Sequence, residues 1–406
     1  MPTGLRRLPP VPEGAANGRA RRVALVHDFL LDLRGAERVF LAMCDLWPTA
    51  DVYTTVYDPV GTDGRFEDRQ VRTSFLQHLR PTARTFRALL PLYPAAIESF
   101  DFSGYDLVVS SSSAWAHAVI CDERTVHVSY CHNPFRYVWN DRDRTLAERR
   151  NPVTRWALRT LFRRWRQWDW IAAQRVDHYL ANSRVTRKRI SSYFGRDSTV
   201  VYPPVETERF SIGPVGDYHL VLSELMPHKR IQVAVEAFNR LRLPLVVVGD
   251  GPDARRLKRM AAPNIRFLGR VGDAHVSQLL SGCRALVVTA VEEFGIAAVE
   301  AQAAGRPVIG MAAGGLRETV QEGVTGTFWD GGADELVEAV ANFDDTAIDP
   351  RDCVRSAGRF GAETFRRKML REVEQVMADS GGQPRHDPRA RQPARAPMRG
   401  LGRRLR

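Results

Sequence analysis

Short β-branched runs alternate with amphipathic stretches along most of the chain. The first run, Val23-Ala24-Leu25-Val26-His27-Asp28, reads as a strand after a polar arm. A helix is predicted over 36–46, where Val39, Phe40, Ala42, Met43 and Leu46 recur at helical spacing. Further strands are predicted at 106–110, 126–130 and 178–181, then at 219–222, 245–248, 265–268, 285–289 and 307–309. Helical patterns lie between most of them, notably at 231–241 and 254–260, and a helix over 356–378 closes the series. Strands alternating with helices imply parallel sheets covered on both faces, and there are two such series. The break between them falls in the proline- and glycine-punctuated stretch 202–217. The expected fold is α/β, two doubly wound Rossmann-like domains facing a cleft. The expected division is a basic arm at 1–22, a first domain at 23–205 and a second at 206–355. A closing helix at 356–379 and an Arg/Pro-rich tail at 380–406 follow.

Composition narrows this picture. The 406 residues are 44% hydrophobic and 26% charged, the balance of a folded globular protein. No apolar run has the length of a membrane-spanning helix and no signal peptide is read, so the expected location is cytoplasmic. Five scattered cysteines without paired spacing predict reduced thiols, with neither a disulfide framework nor zinc. The net charge of +12 is concentrated at the ends: residues 381–406 carry +7 and residues 1–22 carry +4. The nearly neutral remainder speaks against a nucleic-acid enzyme, while disordered basic arms could touch anionic lipid.

The candidate chemistry centres on Glu292 and Glu300. They lie between the strand at 285–289 and Gly305, a plausible helix C-cap, in a run that is otherwise nearly all apolar. Glu300 is thus expected two turns into a buried helix, and a buried carboxylate requires a partner. Open α/β sheets bind ligands beyond the carboxyl ends of their strands, so a hydroxyl-rich, phosphate-bearing ligand is one candidate. Lys229, in the loop after the strand at 219–222, reads alone as a solvated surface lysine. Its position at a strand's carboxyl end, beside the Glu292 loop, favours instead a cleft cation that could neutralise a diphosphate. His132 follows the strand at 126–130 and reads equally as a hydroxyl partner or a satisfied core histidine. Gly35 opens the first helix, where backbone can approach an anion. Gly249-Asp250-Gly251-Pro252 reads as a turn. In 155–170, Leu158, Leu161, Phe162, Trp165 and Trp168 share one helical face among arginines. That face suits a core somewhat better than an anionic membrane. A second basic apolar stretch is 84–92.

These motifs together resemble glycosyltransferase family 4, retaining enzymes of the GT-B fold. The resemblance rests on Glu292-Glu293-Phe294-Gly295-Ile296 through Glu300, with support from Ala181-Asn182-Ser183, Tyr202-Pro203-Pro204-Val205, Phe267-Leu268-Gly269 and Ala313-Gly314-Gly315. Val26-His27-Asp28, Gly35-Ala36-Glu37-Arg38 and Tyr130-Cys131-His132 are similar to the branch of bacterial mannosyltransferases of surface-polysaccharide assembly. The resemblance implies that Glu292 binds a donor-sugar hydroxyl while the amides of Phe294, Gly295 and Ile296 hold sugar and phosphate. It also implies Glu300 on the ribose, Lys229 on the diphosphate, Gly35 closing over it, His132 beside the sugar and Val271 near the base. One departure stands out: Glu224 occupies a position where the family usually carries a diphosphate-binding arginine. Three expectations follow: Glu224 turns aside, another cation such as Arg230 or Arg270 compensates, or activity is impaired. The implied reaction is metal-independent, retaining transfer of a hexose, mannose from GDP-mannose, to a lipid-linked or polysaccharide acceptor at the cytoplasmic membrane face. A UDP-sugar donor, an epimerase of the same fold and a degenerate sugar-nucleotide binder are the alternatives.

Overall fold

The computed structural model describes residues 21–380 except Arg84, Glu148 and Arg150. The expectations for residues 1–20 and 381–406 lie outside the described residues.

The first sheet contains β1 (Val23–His27), β2 (Asp51–Thr54), β3 (Val71–Thr73), β4 (Leu107–Ser112), β5 (Val126–Cys131), β6 (His178–Ala181) and β7 (Ser198–Val200). All pair in parallel, in the order β3-β2-β1-β4-β5-β6-β7. The second contains β8 (His219–Leu222), β9 (Leu245–Val248), β10 (Ile265–Gly269), β11 (Leu286–Val288), β12 (Val308–Met311) and β13 (Gly326–Trp329). It is also parallel, in the order β10-β9-β8-β11-β12-β13. In each sheet the order reverses beside the first strand, at the β1/β4 and β8/β11 boundaries, and such switch points open the crevice used for ligands.

Helices α1 (Gly35–Leu46), α2 (Tyr93–Glu98), α3 (Arg142–Ala147), α4 (Pro152–Ala173) and α5 (Arg184–Phe194) accompany the first sheet. With the second come α6 (Ile231–Leu241), α7 (Ala254–Met260), α8 (Asp273–Gly282), α9 (Ile296–Ala303), α10 (Leu316–Thr319), α11 (Ala333–Asn342) and α12 (Pro350–Gly358). The central strands are buried along their length because helices cover both faces, which is why they read as continuous apolar runs.

The closing helix expected over 356–378 is two helices. α12 ends at Gly358 and packs beside α9, whereas α13 (Ala362–Ser380) returns to the first sheet. There Phe365, Met369 and Val373 are buried with Leu25, Val39 and Tyr130. Each such side chain contributes about 1.5–3 kcal/mol, enough to hold the crossover in place. The interruption has a physical cause. Phe360 turns into a cluster with Tyr202 and Phe294, at ring distances of 5.2 and 5.3 Å. Its carbonyl accepts the Val205 amide at 2.9 Å. The chain therefore crosses between the sheets at two adjacent places, near Val205 and near Phe360.

Candidate active site

The loops at the carboxyl ends of the two sheets meet. After β8, a single 3-10 turn (Pro227–Lys229) carries Lys229, whose carbonyl accepts the Thr289 hydroxyl at 2.7 Å. This bond ties the lysine to the end of β11. Its Nζ donates to both oxygens of Glu292, at 2.7 and 2.8 Å, with both side chains largely buried. Lys229 and Glu292 are thus brought together as a bidentate pair.

Gly295 caps α9 with φ of +91°, a left-handed conformation that glycine adopts without strain. Phe294 sends its ring into the core, 5.7 Å from Tyr202, leaving its backbone at the loop. Gly35, the first residue of α1, packs onto the start of α9. A Cβ there would stand 3.2 Å from Ile296 Cδ1, so a side chain would make that isoleucine give by a few tenths of an ångström. Val271 is half-buried against the core of the second domain.

Glu300 lies little more than one turn into α9, not two, and its partner belongs to the chain itself. Arg209, in the crossing segment, donates to Glu300 Oε1 at 3.0 Å and faces Asp273 at 3.1 Å. Asp273 in turn accepts from Arg38 of the first domain at 2.9 Å. Burial outweighs the two arginines and pushes the Glu300 carboxyl up to about 7.

His132 Nε2 lies 2.9 Å from Ser111 Oγ. Burial first, and the neighbouring His27 second, push its pKa down to about 3, so the ring is neutral at ordinary pH.

Glu224 does not stand unopposed in the cleft. It pairs at 2.6 Å with Arg34, the residue before Gly35. Arg230 points elsewhere, donating to the Gly331 carbonyl at 2.6 Å and lying over Trp329. Arg270 is taken up by Asp32, at 2.8 and 3.3 Å.

Sequence reasoning missed several residues. Glu293 binds Arg136 at 2.9 Å and Arg189 at 3.0 Å, clamping the loop before α9 to the first domain. Burial alone would raise its pKa, but those arginines hold the carboxyl below its usual value. Glu318 of α10 accepts the Arg184 amide at 2.9 Å, capping α5 across the domain boundary. Asp28 accepts four backbone amides, of Ser113, Ala114, Trp115 and Ala116, and shapes the loop after β4. Glu293 and Asp28 stood within motifs already singled out; the partner residues carried no local signal. Ser112, His117 and Asp169 also line up, at 3.2 and 3.3 Å, like a hydrolase triad. All three are at most 3% exposed, which closes them to substrate.

Two parallel sheets with ligand loops meeting across a cleft define the class: a two-domain GT-B architecture. Solved structures agree on the fold. Sucrose-phosphate synthase from Thermosynechococcus elongatus superposes with a TM-score of 0.69 at 16% identity, covering 88% of this chain and all of that one. Anabaena Alr3699/HepE in complex with UDP-glucose gives 0.64 at 17% identity, covering 87% and 99%. Family models named Glycosyltransferase Family 4 and Glycosyl transferases group 1 match residues 33–209 and 205–359. Together the two matches span residues 33–359, so both halves of the chain are similar to glycosyltransferase families. Among curated relatives, a GDP-mannose-dependent alpha-(1-6)-phosphatidylinositol monomannoside mannosyltransferase of Mycolicibacterium smegmatis is 33% identical over 203 residues. That match covers 42% of this chain and 52% of the relative. A D-inositol 3-phosphate glycosyltransferase of Geodermatophilus obscurus is 33% identical over 194 residues, covering 38% and 42%. The chain spans about half the length of the curated relatives it matches.

Proposed function

We propose that the chain is a retaining hexosyltransferase that takes mannose from GDP-mannose to a lipid-linked or polysaccharide acceptor, without a metal. The observation that carries this reading is the Lys229–Glu292 pair at the start of α9, opposite Gly35. An ammonium with three donors can turn part of its hydrogen bonding to a diphosphate, leaving Glu292 to accept from a sugar hydroxyl. The α9 N-terminus adds backbone N–H groups for the same anion. Glu300, little more than one turn into α9, accepts from ribose hydroxyls in this reading. Val271 borders the base in this reading.

In the reaction the bond from the anomeric carbon to the leaving phosphate breaks, and a bond to the acceptor oxygen forms on the same face. The acceptor hydroxyl's proton passes to the departing phosphate. The protein supplies positioning and charge stabilisation, terms that account for much of enzymatic rate enhancement. Arg34 neutralises Glu224, which removes the repulsion that would favour a merely degenerate binder. GDP-mannose is favoured by the mannosyltransferase relative, whose name also specifies a lipid-borne acceptor.

A membrane-surface acceptor suits α4. Its apolar face is spent on the core, with Phe162 and Trp165 buried, but Val153, Trp156, Trp170 and Ile171 remain exposed. They lie among exposed Arg155, Arg159, Arg163 and Arg164, a composition that binds anionic interfaces. Among the described residues no helix is long and apolar enough to cross a membrane. In the second stretch, Phe86 instead packs on Phe29 at 4.8 Å, leaving less apolar surface outward.

Purified Lys229→Ala and Glu292→Ala variants should each lose about 100-fold or more in transfer from GDP-mannose while remaining folded. Near-normal turnover in either would sink the assignment. Conversion of donor alone to an isomerised sugar nucleotide would point to an epimerase instead, and transfer from a UDP-sugar in preference to GDP-mannose would reassign the donor.

A further inference from the structure

β4 carries three consecutive serines, and strand alternation sends Ser111 to the face opposite Ser110 and Ser112. Ser110 and Ser112 meet His127 and His117, at 2.9 and 3.2 Å. Ser111 stands between two histidines: its Oγ lies 3.1 Å from His27 Nδ1 and 2.9 Å from His132 Nε2. The three form a row across adjacent strands. His27 ends β1, Ser111 is its register partner in β4, and His132 directly follows β5. On the far side of His27, Nε2 is 3.8 Å from Glu37 Oε1. The other Glu37 oxygen is held by the Arg34 amide at 3.1 Å, which fixes the carboxylate in place at the start of α1.

A serine hydroxyl has one hydrogen, so Ser111 donates to one ring and accepts from the other. Glu37 biases the direction by charge, since at 3.8 Å its carboxylate is beyond hydrogen-bond reach of Nε2. A carboxylate facing Nε2 favours the His27 tautomer with its hydrogen on that nitrogen, which leaves Nδ1 as a lone pair. Ser111 then donates to His27 Nδ1, and its oxygen accepts from His132 Nε2–H. His132 is left with an unprotonated Nδ1, which makes no hydrogen bond to another described residue. Burial holds this ring neutral, so the acceptor lone pair persists.

We propose that Glu37, His27 and Ser111 are a positioning relay that fixes the His132 tautomer, so that Nδ1 accepts a hydrogen bond from a hydroxyl of the transferred sugar. The sugar contact rests on the glycosyltransferase reading; the tautomer does not.

The test is nitrogen-15 NMR of the histidine rings in the full chain without donor, with His132 signals assigned by their loss in His132→Gln. Wild type should show hydrogen on Nε2 and none on Nδ1. Ser111→Ala should lose this preference, and Ser111→Thr, which keeps the hydroxyl, should retain it. In parallel, Ser111→Ala should lower kcat for transfer about tenfold or more, with KM for donor changed less than about twofold, and Ser111→Thr should recover most of the loss. Should Ser111→Ala fail to fold, Glu37→Gln probes the relay from its outer end and should weaken the same tautomer preference. Hydrogen on Nδ1 in the wild type overturns the relay, as does a Ser111→Ala protein with unchanged tautomer and kcat. Because the spectrum needs no substrate, a correct tautomer in a protein without transferase activity would remove the function while leaving the relay standing.

Discussion

Glu300 shows how one side chain can hold opposing demands. The helix that carries it is apolar, yet the carboxyl is kept in place by Arg209 and influenced by Arg38. Burial still dominates, and the pKa rises from 4.5 to about 7. The folded protein therefore binds this proton more tightly than the unfolded chain. The stability contribution is complete below pH 4.5 and is lost as pH rises through about 7. With about 1.4 kcal/mol per unit, the loss approaches about 3 kcal/mol. Melting temperature should consequently fall between about pH 5 and pH 8 more in the wild type than in Glu300→Gln. Parallel pH profiles of the two proteins would contradict the assignment of that proton to Glu300. The buried carboxylate was visible in the sequence from its apolar neighbours. Its partner was not, because nothing local links Glu300 to Arg209, 91 positions earlier.

Among the elements, those most legible in the sequence are the strands covered on both faces. Leu245-Val246-Val247-Val248 is buried at every position and reads as a strand at sight. The strands overlooked are polar or only partly covered: β3, β7 and β13 lie at sheet edges and β2 opens on Asp51, so none reads as a continuous apolar run. The α12–α13 break carried a local signal that helical spacing on either side masked. Gly358 and Gly361 bracket Arg359-Phe360, and tertiary contact then draws Phe360 into its aromatic cluster. α4 divides similarly, since periodicity identified its core face but not what the remaining tryptophans do. Its exposed Trp156 and Trp170 predict binding to anionic vesicles that weakens with salt. Replacing both by serine should reduce co-sedimentation by about an order of magnitude, as expected for lost interfacial apolar area. Binding that persists in this variant but disappears on deleting residues 381–406 would assign the membrane contact to the tail.

At the scale of the whole molecule, the two sheets are closed on each other by charges in register. Asp32, Arg34 and Arg38 of one short segment meet Arg270, Glu224 and Asp273 from two connections of the second domain, after β8 and after β10. Exposed pairs of this kind each contribute little to stability. Because Asp32 differs in sign from Arg34 and Arg38, the set favours one closed geometry over sliding alternatives. Glu224, which looked like a defect when read beside Lys229, belongs to this set. Arg34→Glu should therefore open the cleft and enlarge the radius of gyration in solution scattering, while the double exchange Arg34→Glu/Glu224→Arg should restore the closed size. Unchanged scattering in the single variant would show that the apolar crossing at Phe360 alone sets closure. If closure builds a sugar-nucleotide site on Lys229 and Glu292, calorimetric titration of GDP-mannose should separate the wild type from Lys229→Ala. One saturable site is expected in the wild type and at least about tenfold weaker binding in the variant, as for loss of a charge-assisted contact. Absence of binding by the wild type, or equal affinity in both proteins, would contradict the proposed site.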